Sequence, residues 1–260
     1  MTTREDRRPP EEPDAGGAGR RRTPRAAARE AMVDDIVGVA RRQLGEVGPA
    51  ALSLRAIARE LGIVPSAVYR YFAGRDEILT ALITSGYTRL GDAVAETDAA
   101  LPADDVTARW VTVWRTTREW SLAHPHEYAL LYGTPVPGYG APATTVPPAT
   151  RVVLRLAAIL VDAARIGVRR APSELAAPVP PGVRADADDL HRRLPDLGLT
   201  AENIDPLDTM RVVSAWTLLF GAISFELFGH HDGSVTHHAD YLNALALDAA
   251  QRIGLPPGDG

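Results

Sequence analysis

The chain is punctuated between residues 48 and 75, and this constrains its fold more than any other feature. Gly48 and Pro49 close one apolar-periodic segment, Gly62 closes a second, Pro65 opens a third and Gly74 lies just beyond it. Gly after a periodic run and Pro at its first position are helix stop and start signals. Leu54, Ile57, Ala58 and Leu61 recur at helical spacing, which predicts a two-turn helix from Ser53, the N-cap, to Gly62. Ala58 is small enough for the next helix to cross closely, and that helix is expected over Pro65–Phe72. A longer helix, Arg25–Val47, precedes the pair with Val33, Ile36, Val37, Ala40 and Leu44 on one face. Another starts at Arg75 with Asp76 and Glu77 in its first turn and runs to about Ala95, carrying Ile78, Leu82, Ile83, Tyr87 and Leu90. Two short helices joined by a tight Gly-containing turn behind a longer helix form a helix-turn-helix.

Net charge is −5 over 260 residues, which does not suit a nucleic-acid binder at first sight, but the charge is unevenly placed. Residues 20–90 hold 12 Arg against seven acids, while residues 91–260 hold 13 Arg against 21. A basic segment ahead of an acidic body suits an anionic partner at one end only. All 28 basic residues are Arg, to which no functional weight is given.

The stretch Ser53-Leu54-Arg55-Ala56-Ile57-Ala58-Arg59-Glu60-Leu61-Gly62-Ile63-Val64-Pro65-Ser66-Ala67-Val68-Tyr69-Arg70-Tyr71-Phe72, continuing through Arg75 and Leu79, resembles the DNA-binding domain of the TetR family of bacterial transcriptional regulators. Two positions depart from the family pattern. Val64 stands where a Ser or Thr usually caps the recognition helix, and Arg75 stands for the usual Lys, keeping the charge but not the compact ammonium. The resemblance implies that the recognition helix enters the major groove of double-stranded DNA with Pro65, Ser66 and Ala67 at the base edges. It implies phosphate contact for Tyr69, base or phosphate contact for Arg70, and phosphate clamps at Arg55 and Arg75. Ser53 is mainly a cap with a secondary phosphate role, Tyr71 is ambiguous, and Phe72 is expected in the core. Tyr69 as a core aromatic, and Arg55 and Arg75 as solvated surface charges, remain alternative readings.

Three of the four Trp fall in a helix expected over residues 103–124, with Val106, Trp110, Val113, Trp114, Thr117 and Trp120. Pro125–Tyr132 restarts as a short helix, and residues 134–148, with five Pro and two Gly, read as a loop. A helix from about Thr150 to Arg170 follows. Residues 171–205 read as surface and mobile, with one short helical turn near Asp186–Leu194. Helix 206–229 has two apolar faces. Val212, Trp216, Leu219, Phe220, Ile223 and Leu227 form one, and Met210, Ser214, Thr217, Gly221, Ser224 and Phe228 the other. The last helix, Val235–Ile253, carries Leu242, Ala246 and Ala249. The small-residue face and the last helix would build a four-helix interface in a homodimer, or pack only within one chain. The Trp120…His124-Pro125…Tyr128 and Trp216…Gly221…Gly229 stretches resemble the WHG type of TetR-family C-terminal domain, with Phe220 where that type has His. Trp110, Trp114, Tyr128, Tyr132, Trp216 and Phe220 either line a pocket for a small apolar or amphipathic effector or are core packing. Glu226, beside them, would select a cationic or hydrogen-bonding group if buried and is otherwise a surface acid.

Several functions fall away. There is no Cys, hence no disulfide framework, thiol nucleophile or Cys zinc site. His230, His231, Asp232, His237 and His238 sit at helix ends, where the dipole explains them better than a metal does. His124-Pro125-His126-Glu127 lacks the i, i+4 His pair of a zinc protease, and phosphate-binding, dinucleotide and Ser-elbow motifs are missing. No catalytic residue, metal or cofactor is therefore expected. The uncharged run Val212–Phe225 has 14 residues, shorter than the roughly 20 of a membrane span. With no signal peptide in view, the chain reads as cytoplasmic, without a membrane partner. The expected chain is all-α: a disordered tail over 1–24 whose Arg20–Arg22 could touch DNA, a helix-turn-helix domain over 25–74, and an effector-binding and dimerisation domain over 75–260. It reads as a ligand-responsive repressor on a near-palindromic operator. The alternative is a small-molecule-binding or scaffold protein whose helix-turn-helix no longer reads DNA.

Overall fold

A computed structural model of the protein describes residues 23–170 and 178–257. The expected tail up to Arg22 lies outside the described residues. Within them the fold is all-α, with no strand. In chain order the helices are α1 (Pro24–Val47), α2 (Leu54–Glu60), α3 (Pro65–Val68), α4 (Arg75–Ala99), α5 (Val106–Ala123), α6 (Pro125–Tyr132), α7 (Val146–Ala149), α8 (Arg151–Arg165), α9 (Pro181–Arg193), α10 (Pro206–Leu227) and α11 (His238–Arg252).

Local chemistry sets the helix ends. The Thr23 side chain accepts from the Ala26 amide at 3.3 Å, and Pro24 takes the first position of α1. Ser53 caps α2 by accepting from the Ala56 amide at 3.4 Å. Gly62 turns the chain into α3 with φ of 68°, a conformation that costs glycine little. Val64 supplies no side-chain cap to α3. That helix closes at Val68, short of the expected Phe72, and Arg70 and Tyr71 bond three residues back, to the Ala67 and Val68 carbonyls, in tighter turns.

Two apolar cores result. The head core holds Ile36, Val37, Val39 and Ala40 of α1, Leu54, Ile57 and Ala58 of α2, Val68 and Phe72 around α3, and Ile78, Leu79 and Leu82 of α4. The body core gathers α5, α8, α10 and α11 around Trp110, Trp114, Tyr128, Leu156, Ile159, Leu219 and Ile223, with Leu90 and Val94 supplied by α4. The expected cut at 74/75 therefore falls ahead of residues that complete the head. With 25 residues, α4 is about 37 Å long at the usual rise and runs through both cores.

Three other expectations change. The 134–148 loop is a strap that returns to the head: Val136 is buried in the head core, and the Tyr139 hydroxyl meets Thr80 Oγ1 of α4 at 2.9 Å. Its far end is helical, because a 3-10 turn over Ala143–Thr145 leads into α7. The helix expected to Arg170 stops at Arg165, where the Gly167 and Val168 amides fold back onto the Ala164 and Ala163 carbonyls. Within the stretch 171–205, residues 181–193 are helical throughout, which lengthens the one turn expected near Asp186–Leu194, and residues 171–177 lie outside the described residues. Only Ala187 of α9 is buried, so no apolar stripe announces it; its last turn carries His191, Arg192 and Arg193, which suit the dipole there. His191 Nδ1 contacts Thr209 Oγ1 at 3.2 Å, tying α9 to α10.

The body is also braced by a buried ion cluster. Arg109 of α5 donates to both Asp98 oxygens at 2.8 and 3.2 Å and to Asp162 of α8 at 2.9 Å. Arg155 of α8 reaches Asp98 at 3.2 Å. The hydrogen bond to Asp98 holds the Arg109 guanidinium above its usual pKa despite burial. Removing one partner of such a pair leaves the other charge buried and unpaired. Asp98→Ala should therefore destabilise the protein by about 3–5 kcal/mol, read as a lower urea midpoint. A midpoint within experimental error of the parent would show that the cluster is well solvated.

Candidate nucleic-acid interface and effector region

In the head, Val68 and Phe72 anchor α3 in the core and leave its other side outward. Pro65, Ser66, Tyr69 and Arg70 are exposed, and Arg55 and Arg59 are exposed on α2. Tyr69, at 50% exposure, is not a core aromatic. Ala67 is half-buried, as is Ser53, whose hydroxyl serves the α2 cap. Two residues sit differently from a DNA contact. Tyr71 is half-buried against the head core with Arg29 of α1 over its ring at 5.1 Å. Arg75 Nε and one terminal nitrogen donate to the Pro49 carbonyl at 3.1 and 2.9 Å, so its fork fastens the α1–α2 turn to α4. This explains Arg in place of Lys: the planar guanidinium fork brings two N–H groups onto one oxygen. The nearby acid Glu60 is paired with Arg42 at 2.7 Å, so its charge is offset on this side of the head.

Head and body are joined by a charged node that the sequence did not single out. Glu127 of α6 is buried, accepts from Arg89 of α4 at 2.7 Å on both oxygens, and lies 3.3 Å from Arg41 Nε of α1. Arg41 also donates to Ser85 of α4 at 3.0 Å. His124 Nδ1 lies 2.8 Å from the Trp120 carbonyl, which assigns the proton to that nitrogen and leaves Nε2 to accept from Arg89 at 2.7 Å. A lone acid in the otherwise apolar run Tyr128-Ala129-Leu130-Leu131 was the available signal, since buried acids are paired.

The six expected effector residues all lie in or against the body core. Trp110 is buried and its indole N–H donates to the Ala246 carbonyl at 2.9 Å. Tyr128 is buried, donates to the Phe220 carbonyl at 2.9 Å and meets Ser224 Oγ at 2.8 Å. Tyr132 stacks on Phe220 with ring centres 4.0 Å apart, and Trp216 meets Phe220 edge-on at 6.0 Å. These rings lie against one another where α6 meets α10, and the Tyr132 hydroxyl and the indole N–H groups of Trp114 and Trp216 are buried without a hydrogen-bond partner among the described residues. Trp114 borders a cavity of about 310 Å³ between α5 and α11, beside Arg115, Arg118 and Leu242. Burial pushes the Tyr128 phenol up to about 12 and raises the Tyr132 phenol as well, so both stay protonated. Glu226 is mostly buried and bound by Arg118 at 2.7 and 2.5 Å, which satisfies its charge within the chain.

The residues expected between subunits divide. Leu242, Ala246 and Ala249 are buried in the body core of their own chain, because that face of α11 packs on α5 and α10. Ser224 turns inward to Tyr128, and Phe228 borders a cavity between head and body with Leu44, His126 and Ala129. Met210 is half-buried. Ser214, Thr217 and Gly221 are exposed on α10, in line with exposed Leu218 and Phe225, which the sequence reading missed. Tyr241 of α11 is exposed as well. By length and composition α10 could cross a membrane; here one face packs in the body core and the other is this exposed stripe. Among the described residues no cluster of three or more His, Asp or Glu is arranged to hold a metal ion.

Known proteins resemble both halves of the chain. The family model described as "Bacterial regulatory proteins, tetR family" matches residues 36–82, and "Tetracyclin repressor-like, C-terminal domain" matches residues 110–250. The HTH-type transcriptional regulators Rv1816 of Mycobacterium tuberculosis and Mb1846 of Mycobacterium bovis are each 38% identical over 236 residues, which span 88% of this chain and 93% of the relative. Among solved structures, the regulatory protein SCO4313 superposes with a TM-score of 0.67 at 30% identity over 87% of this chain and 98% of that one. PfmR, a TetR-family regulator of Thermus thermophilus, shares the fold with a TM-score of 0.51 at 15% identity, covering 84% of this chain and 97% of its own. The chain belongs to the TetR family of DNA-binding transcriptional regulators.

Proposed function

We propose that this protein is a ligand-responsive repressor, working as a homodimer on a near-palindromic operator in the cytoplasm. The observation that carries the reading is the outward face of α3. Pro65, Ser66, Tyr69 and Arg70 are exposed together while Val68 and Phe72 fix the helix from behind. A helix held in this way offers its N-terminal side chains to base edges and its later ones to phosphate. Ser66 can donate or accept, Ala67 can meet a thymine methyl, and Arg55 and Arg70 supply positive charge. Ser53, Tyr71 and Arg75 act indirectly, by holding α2, α3 and the α1–α2 turn in place.

The second subunit would seat on the exposed stripe of α10, Ser214, Thr217, Leu218, Gly221 and Phe225, with Tyr241 of α11 beside it. A small apolar or amphipathic effector bound in the body would change the set of α4, and with it the spacing of the two recognition helices. It can do so only by binding one spacing more tightly than the other.

Two measurements test this. Arg70→Ala should weaken binding to an operator selected from random duplexes by roughly 1–3 kcal/mol and relax preference at one position. Unchanged affinity and preference would place Arg70 away from DNA. Gly221 is suited to test the dimer, because it is exposed and a Cβ added there meets nothing within 4 Å in its own chain. Gly221→Arg should leave the fold intact while shifting sedimentation from dimer to monomer, with a dimer dissociation constant raised at least about tenfold, or ~1.4 kcal/mol. A dimer of parental strength would remove this stripe from the interface.

A further inference from the structure

We propose that the space beneath the 134–148 strap is a binding site for a neutral, apolar small molecule. The inference deepens the reading of a ligand-responsive regulator and rests on it for its regulatory consequence, though not for the site itself. A cavity of about 330 Å³ lies there, enclosed by Ile83 and Tyr87 of α4, Leu130 and Leu131 of α6, and Val136 and Val146 at the two ends of the strap. That volume is within the roughly 300–1,000 Å³ of small-molecule sites.

The chemistry of the wall selects the occupant. No charged side chain lines the cavity. Three of its hydroxyls are already engaged: Tyr87 donates to the Leu131 carbonyl at 3.2 Å, Tyr139 shares a hydrogen with Thr80 at 2.9 Å, and Thr145 donates to the Pro142 carbonyl at 2.8 Å. An ion here would meet no opposite charge, whereas an apolar ring would gain contact with the aliphatic and aromatic wall.

The position of the cavity gives the occupant a consequence. The strap ends in the head core at Val136 and is pinned to α4 by Tyr139, while Tyr87 on the cavity floor meets Tyr132 edge-on at 5.7 Å. A molecule wedged between strap and α4 therefore touches the head through Val136 and the shared helix through Ile83 and Tyr87, and Tyr87 in turn packs on Tyr132 of the aromatic cluster. It favours whichever setting of α4 leaves it more room.

The test uses the full-length protein and N-phenyl-1-naphthylamine, a neutral probe whose fluorescence rises in apolar surroundings. One probe should bind per chain, and its anionic relative anilinonaphthalene sulfonate should bind at least about tenfold more weakly, because the site offers no positive charge. Ala149→Phe, which fills the cavity from α7, should weaken probe binding at least about tenfold, whereas Trp216→Phe in the aromatic cluster should leave it unchanged. If Ala149→Phe fails to fold, Val146→Trp plugs the exposed mouth instead. Equal probe binding by the filled variant, loss only in Trp216→Phe, or equal binding of the anion would each overturn the proposal. The DNA arm separates the two readings. Bound probe that is lost on filling the cavity, yet leaves operator affinity unchanged, keeps the site and removes ligand responsiveness. Probe that changes operator affinity equally in the parent and the filled variant keeps ligand responsiveness and removes this site.

Discussion

Glu127 holds the two halves of the protein in register. Its carboxylate is buried and faces Arg89 of α4 and Arg41 of α1, while Arg89 is further fixed by His124. A buried acid in this position stabilises the fold only as long as both arginines stay near it, because an unpaired carboxylate in an apolar setting is costly. Head, connecting helix and body must therefore adopt a relative arrangement that keeps the three groups together. The strap adds a second tie, through Val136 and Tyr139, on the same helix that the node grips. Movement of α4 must work against both.

This makes α4 the element through which the body can act on the head. It supplies Ile78, Leu79 and Leu82 to one core and Leu90 and Val94 to the other, with no break between. A continuous helix carries a displacement from end to end more faithfully than a jointed one. The aromatic cluster lies on the body side of that helix, the strap cavity lies beside its middle against head-core residues, and the exposed face of α3 lies at the head end.

The head was readable because its chemistry is local. Gly62, Pro65, Ser53 and the spacing of Leu54, Ile57 and Ala58 fix the starts of two short helices within twenty residues, and the structure begins each there, although α3 ends at Val68 rather than Phe72. The all-α class and the buried apolar face of α10 were readable for the same reason. Orientation was not. Leu242, Ala246 and Ala249 define a face of α11 at helical spacing, but periodicity does not say whether that face meets its own chain or another. Arg75 reads as a charge near DNA, and only the position of the Pro49 carbonyl, 26 residues earlier, shows what its fork holds. Helix α9 was legible only as one turn near its end, because its sequence is polar almost throughout and its place is set by α10 rather than by an apolar stripe of its own. The strap was read as a loop from its prolines, and the single buried valine that gives it a destination carries no signal of its own.

The contrast between the two cores bears on how the chain reaches this structure. Apart from Val136, the head gathers residues that are neighbours in sequence, so its closure demands little loop entropy. The body must bring Trp110 to Ala246, 136 residues away, and Thr107 to the Pro256 carbonyl, 149 residues away. Contacts between sequence neighbours close at lower entropic cost than distant ones. The body core cannot close until α11 is present to receive Trp110, whereas the buried residues of the head core are all in place once the chain reaches Val136.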